Sequence, residues 1–116
     1  MTENEKKILN LFLEDIGCHP EFENVGLSSI GKVSVSGNNL LHFAAIKNRA
    51  DICEILVGLG LDINQRGEHG YTPLHEAAEQ GNEKSFVTLL NLGADVHIRN
   101  KNGITPAELR EMMKEE

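Results

Sequence analysis

The chain has 116 residues, a length that fits one domain, and 40% of them are apolar with four Phe, one Tyr and no Trp. A core resting on Leu, Ile, Val and Ala favours stacked helices over a β-sandwich. Eleven Lys and Arg against eighteen Asp and Glu give a formal charge of −7, spread along the chain without a basic patch, which argues against nucleic acid as a partner.

The first predicted element is an amphipathic helix near 3–16, because Ile8, Leu9, Phe12, Leu13 and Ile16 recur at helical spacing. The opening Met1-Thr2-Glu3-Asn4-Glu5-Lys6-Lys7 runs into an apolar stretch interrupted by Glu14 and Asp15. Neither a secretory signal nor a membrane span is expected from it, and the cytoplasm is the expected location. Cys18 and Cys53 are therefore expected as reduced thiols. Cys18-His19 before Pro20, with Cys53 distant, is too small a set for zinc and lacks the third group that would orient a Cys-His nucleophile. From Gly26 to Gly37 the chain is rich in Gly and Ser. Its later part alternates polar and apolar residues like a short strand, suiting an arm that leads into the next unit.

Helices are predicted near 40–47 and 50–59, the first capped by Asn39. A hairpin-like connection follows from Leu61 to Gly70. Thr72-Pro73 then starts a helix near 73–80: the hydroxyl can accept an orphan amide, and proline at the first helical position loses nothing by lacking an N–H. A helix near 83–92 and a second connection from Ala94 to Gly103 follow, and Thr105-Pro106 begins the last helix, which runs to about 114. Asn48 and Gly81 hold the same place after the first helix of each pair, where a left-handed residue is needed; Gly60 and Gly93 serve the second helices.

These elements repeat. Gly37, Gly70 and Gly103 stand at a constant step, and shifting the chain by it superposes Asn39-Leu40-Leu41-His42-Phe43-Ala44-Ala45 on Thr72-Pro73-Leu74-His75-Glu76-Ala77-Ala78. Leu56-Val57 falls on Leu89-Leu90, Gly60 on Gly93 and Asp62 on Asp95. The segment Gly70-Tyr71-Thr72-Pro73-Leu74-His75-Glu76-Ala77-Ala78, followed by Gly81 and Gly93-Ala94-Asp95-Val96, closely resembles the ankyrin repeat.

The resemblance implies an all-α fold: a solenoid of stacked helix-turn-helix units with short hairpin connections, an N-terminal helical cap and a truncated C-terminal repeat. The expected boundaries within a single domain are a cap at 1–36, repeats at 37–69 and 70–102, and a capping half-repeat at 103–116. The paired alanines keep one face thin enough for the next layer. Arg110 and Glu111 stand where Ala77 and Ala78 would be, which suits a solvated end. The resemblance also implies that His42 and His75 hydrogen-bond backbone and tie neighbouring repeats together; Glu108 replaces them in the third unit. Stacked layers hold equivalent side chains about 10 Å apart, too far for the two histidines to share a metal.

No phosphate-cradling glycine loop or convergent pair of carboxylates is present, so neither an enzyme nor a cofactor or metal site is expected. The resemblance instead implies a protein-binding module, monomeric when free. Its binding surface would comprise Asn38, Tyr71, Phe43, Ile46, Lys47, Glu76, Glu79 and Gln80 on the helical side, with Phe43 and Ile46 either touching the partner or covered by residues 1–36. Arg66, Glu68, His69, Arg99 and Lys101, with Gln65 and Asn100, would supply the hairpin tips. The run from Gly67 to Glu76 looks similar to small bacterial ankyrin proteins, some of which are immunity proteins. That suggests a stoichiometric inhibitor of a basic toxin such as a nuclease, the alternative being an adaptor domain of a larger assembly.

Overall fold

A computed structural model describes residues 2–16, 33 and 36–114. Cys18, His19 and the glycine-serine arm lie outside the described residues, apart from Val33, Ser36 and Gly37. The described elements are six helices: α1 (Glu3–Ile16), α2 (Leu40–Ile46), α3 (Ala50–Gly58), α4 (Pro73–Gln80), α5 (Glu83–Asn91) and α6 (Pro106–Lys114), with a 3-10 turn at Glu68–Gly70. No strand occurs among the described residues, and the two hairpin-like connections are built of turns.

The first helix of each repeat begins on a reciprocal cap. Thr72 Oγ1 accepts the His75 amide at 3.3 Å while His75 Nδ1 accepts the Thr72 amide at 3.1 Å. Asn39 and His42 form the same box, with the Asn39 amide donating to His42 Nδ1 at 3.0 Å. Thr105 and Glu108 form it again, and so do Thr2 and Glu5 at the head of α1. After α2 and α4 the chain turns through a left-handed residue, Asn48 at φ 56° and Gly81 at φ 71°, as an αL helix ending requires.

Packing follows the repeat. Helix α2 lies on α4 and α4 on α6, forming an inner layer; α3 lies on α5 and α1 on α3, forming an outer one. Ala44, Ala45, Ala77 and Ala78 are buried between the layers, as their small size predicts. Leu9, Phe12 and Leu13 of α1 join the same core as Leu41, Phe43, Ile52, Leu56, Leu74, Phe86 and Leu89, so the first helix covers repeat one.

Polar bonds staple the repeats where helices turn. Asn82 Nδ2 donates to the Ala45 and Ile46 carbonyls at 2.8 and 2.9 Å, and Asn48 Oδ1 accepts the Ser85 hydroxyl at 2.9 Å. The far end closes differently. Arg110 Nε and Nη2 donate to both Glu83 carboxylate oxygens at 2.7 and 2.6 Å, and its guanidinium lies 5.1 Å from the Phe86 ring centre. Arg110 thus lies over α5, at the repeat position where Ala77 stacks, which is how the last unit ends on a solvated face.

Gly67 is required by close approach. A Cβ on Gly67 would overlap Asn38 Oδ1 and lie 3.0 Å from His42 Nε2; that Asn38 oxygen accepts the Glu68 amide at 3.2 Å. Gly67→Ala is expected to cost about 1–3 kcal/mol by overpacking. Gly58→Ala, with nothing within 4 Å of its Cβ, is expected to leave stability unchanged or raise it by up to about 1 kcal/mol. Urea unfolding of the two variants checks the contrast.

Candidate partner-binding surface

The tips of the two connections are held by the histidines and by each other. His42 Nε2 donates to the Tyr71 carbonyl at 2.9 Å and His75 Nε2 to the Ile104 carbonyl at 2.8 Å. Their Nδ1 atoms accept the capping amides, so both rings are neutral Nε2–H tautomers. Each histidine therefore caps its own helix and reaches into the next unit. Burial pushes His75 below the ordinary histidine range, and the nearby Arg66 charge acts the same way, partly opposed by the bond to Ile104. Glu108 has no donor for a further unit; it takes Arg99 Nη1 at 3.2 Å instead.

The tip amides close on themselves and on their neighbours. Gly67 N donates to the Tyr71 carbonyl at 2.8 Å, Asn100 N to the Ile104 carbonyl at 2.9 Å, and Lys101 N to the His69 carbonyl at 2.9 Å. His69 takes φ 60°, a left-handed conformation that among residues other than glycine is adopted mostly by asparagine, aspartate and histidine. Its ring is exposed, edge-on to Tyr71 at 6.4 Å, while Tyr71 lies 5.4 Å from His75.

Tyr71 is half-buried, and its hydroxyl donates to Glu79 Oε2 at 2.6 Å. Burial first, then the Glu79 carboxylate, holds its phenol up to about 12, so the hydroxyl stays a donor at neutral pH. The ring is thereby fixed by Glu79 and near Glu76 of α4, and Gln80 of the same helix is exposed. The sequence assigns Glu79 only a general place on the surface; its bond to Tyr71 depends on how the 3-10 turn aims the ring over α4.

The other expected residues divide. Arg66, Glu68, His69, Arg99 and Lys101 are exposed on the tips, with His69 Nε2 3.6 Å from Glu68 and Arg99 paired to Glu108. Lys47 is exposed but ion-paired to Asp15 of α1 at 3.1 Å, and Ile46 is half-buried. Two assignments are corrected. Asn38 is only 6% exposed, because its side chain fills the space over Gly67, and Phe43 is 5% exposed within the core. Asn100 is likewise buried: its Oδ1 accepts the Asn102 and Ile104 amides at 2.9 and 3.1 Å, and its Nδ2 has no partner. Cys53 is also a core side chain, fully buried, its thiol pushed up to about 12 by burial, which leaves it inert as a nucleophile.

Among the described residues no group of three or more His, Cys, Asp or Glu is placed to hold a metal ion, and no helix is long and apolar enough to cross a membrane.

A family described as Ankyrin repeats (3 copies) matches residues 1–100. Protein phosphatase 1 regulatory subunit 27 of Homo sapiens is 38% identical over 69 residues, covering 60% of this chain and 43% of that protein. Protein phosphatase 1 regulatory subunit 12A of Mus musculus is 37% identical over 62 residues, 53% of this chain and 6% of its own length. NF-kappa-B inhibitor alpha of Homo sapiens is 50% identical over 48 residues, 38% of this chain and 15% of that protein. The chain thus spans only a minor part of these curated relatives.

Proposed function

Because the chain belongs to the ankyrin-repeat family, we propose that it works by holding another protein against the face formed by the connection tips and the exposed side of α4. The observation that carries this reading is Tyr71, a large amphipathic ring locked in place by Glu79 on an otherwise polar face. A ring already ordered before binding loses little conformational freedom on contact, and tyrosine is enriched among the residues that dominate interfaces. Around it Glu76, Glu79, Gln80, Arg66, Glu68, His69, Arg99 and Lys101 supply the polar rim, with Ile46 and Lys47 at its edge near α1.

Family and relatives point the same way: the similar proteins are regulatory subunits and an inhibitor. A freestanding inhibitor, monomeric when free and acting in the cytoplasm, is the form we favour. Its partner would be basic, since a formal charge of −7 steers an oppositely charged protein onto it; neutralisation of a basic toxin such as a nuclease is the sharpest version. The small share of each relative that the chain covers favours the second reading, an adaptor domain within a larger assembly.

Tyr71→Ala tests the surface. Capture of the partner from native lysate, followed by calorimetry, is expected to show binding weakened by more than about 1 kcal/mol, the usual threshold for a residue that matters. The melting temperature should stay within a few degrees of the parent, because the lost hydroxyl bond to Glu79 is exposed. A mutant that melts early and binds as before would reassign Tyr71 to the fold.

A further inference from the structure

We propose that Arg66 and Lys101, brought together by the two connection tips, form a subsite for a single carboxylate side chain, Asp or Glu, of the partner protein. The inference deepens the binding role proposed above and rests on it.

The geometry is set by Gly70. A methyl group placed there would lie 3.0 Å from Arg66 Nη2, 3.0 Å from the Lys101 amide nitrogen and 3.3 Å from Lys101 Cγ. The arginine head and the lysine stem therefore flank one small volume, from residues thirty-five positions apart that the repeat stack alone makes neighbours. The Lys101 amide is fixed to His69, and His69, Tyr71 and His75 form a line of rings beside it.

Both side chains are exposed, and neither makes an ion pair among the described residues. That separates them from Arg49, Arg99 and Arg110, each of which is bonded to a carboxylate of this chain. The two cationic side chains start from the same spot over Gly70 without a counter-charge from the described residues, and a carboxylate that both can reach supplies one. The guanidinium also offers a planar pair of donors matched to a carboxylate.

The surroundings decide which anion. Glu68 flanks the tip on one side and Glu79 lies beyond Tyr71 on the other, within a chain of formal charge −7. A continuous polyanion such as a nucleic-acid backbone meets those carboxylates at successive phosphates and is repelled. One isolated acid on a protein surface meets only the cationic pair. The binding face is thus bipolar, basic at the tips and acidic on α4, with Tyr71 between the poles. A partner segment carrying an acid on one side of an apolar group and a base on the other fits in a single direction.

The test titrates isotope-labelled full-length protein with acetyl-Lys-Ala-Leu-Ala-Glu-amide, with the same peptide carrying Gln for Glu, and with oligo-dT, following backbone amides by NMR. The expected result is saturable shifts centred on Arg66, His69 and Lys101 for the Glu peptide. The Gln peptide should bind at least about tenfold more weakly, a loss of roughly 1.4 kcal/mol, as should the Glu peptide to Arg66→Gln and Lys101→Gln variants with unchanged melting temperatures. Equal shifts from the Gln peptide, shifts centred elsewhere, no saturable shift with either peptide, or tighter binding of oligo-dT each overturn the proposal. The binding role fails separately: a lysate partner lost in Tyr71→Ala but indifferent to Arg66→Gln sinks the carboxylate subsite and leaves that role intact.

Discussion

Phe12→Ala is expected to cost about 3–5 kcal/mol, the usual range for truncating a buried phenylalanine. Against a total stability of about 5–15 kcal/mol for a small domain, this is a large share of what keeps the chain folded. The reason lies in the repeat. A helix pair buries its apolar face only against neighbours, and about three units are normally needed for a stable stack; here α1 supplies the missing neighbour on the N-terminal side. Phe12 is 1% exposed in that contact, and Leu9 beside it is fully buried. Leu11, in the same helix but 63% exposed, provides the control, and Leu11→Ala should change stability by no more than about 0.5 kcal/mol. Urea titrations of both variants decide the matter: similar midpoints would show that α1 rests on the stack without stabilising it.

The second large effect is at His75. His75→Ala leaves the buried Thr72 amide without its acceptor and removes the link to the Ile104 carbonyl, a loss of about 1–3 kcal/mol for the orphaned group before any cavity is counted. His75→Asn keeps an acceptor near Thr72 but cannot reach Ile104, so its smaller cost measures the link between repeats. The same residue sets a pH dependence. Its folded pKa lies below the unfolded value because burial disfavours the charged ring. The unfolded chain therefore binds more protons as pH falls, and the stability held by the neutral ring is complete above about pH 6.5 and lost progressively below it. Asp51, Glu83 and Glu108 are held below the ordinary carboxylate range by Arg49, Arg110 and Thr105 respectively; what they contribute is present at neutral pH and lost only in more acid solution. Thermal melts between about pH 7.5 and 5.5 should fall for the parent and slope less steeply for His75→Ala. An unchanged slope would exclude His75 as its source.

Much of this was legible because it is local. Helix α4 runs over the residues that the Thr72-Pro73 start and the Gly81 stop delimit, and α2, α3 and α5 end one residue short of their predicted ends. A cap or a left-handed turn depends on a few adjacent residues, which the chain displays directly. The two histidines were legible through the repeat resemblance, as their bonds join equivalent points of successive units. The proposed binding face was legible only in part. Carrying positions across by the repeat step treats every unit as an interior one, yet Phe43, Glu76 and Leu109 share one position and are buried, half-buried and buried. Exposure there depends on which side chain the position carries and on what covers it at the ends of the stack. Asn38 shares the position of Tyr71, but a short amide folds in over Gly67 where a tyrosine must swing out over α4.

The clasp between the two repeats has a direction. Repeat one supplies Asn48 and the carbonyls of Ala45 and Ile46; repeat two supplies Asn82 and Ser85. Neither repeat carries both partners of the Asn48–Ser85 bond. Where repeat two would present its own Asn48 it has Gly81, which has no side chain to offer, and where repeat one would present Asn82 and Ser85 it has Arg49 and Ile52. Duplicating repeat one in tandem would preserve the helices and the thin alanine face but lose both parts of the clasp, whereas duplicating repeat two would keep an asparagine to meet the backbone carbonyls and lose the bond that Asn48 makes to Ser85. The two repeats are therefore a mated pair rather than interchangeable copies, and lengthening this array would require a new sequence carrying plug and socket together.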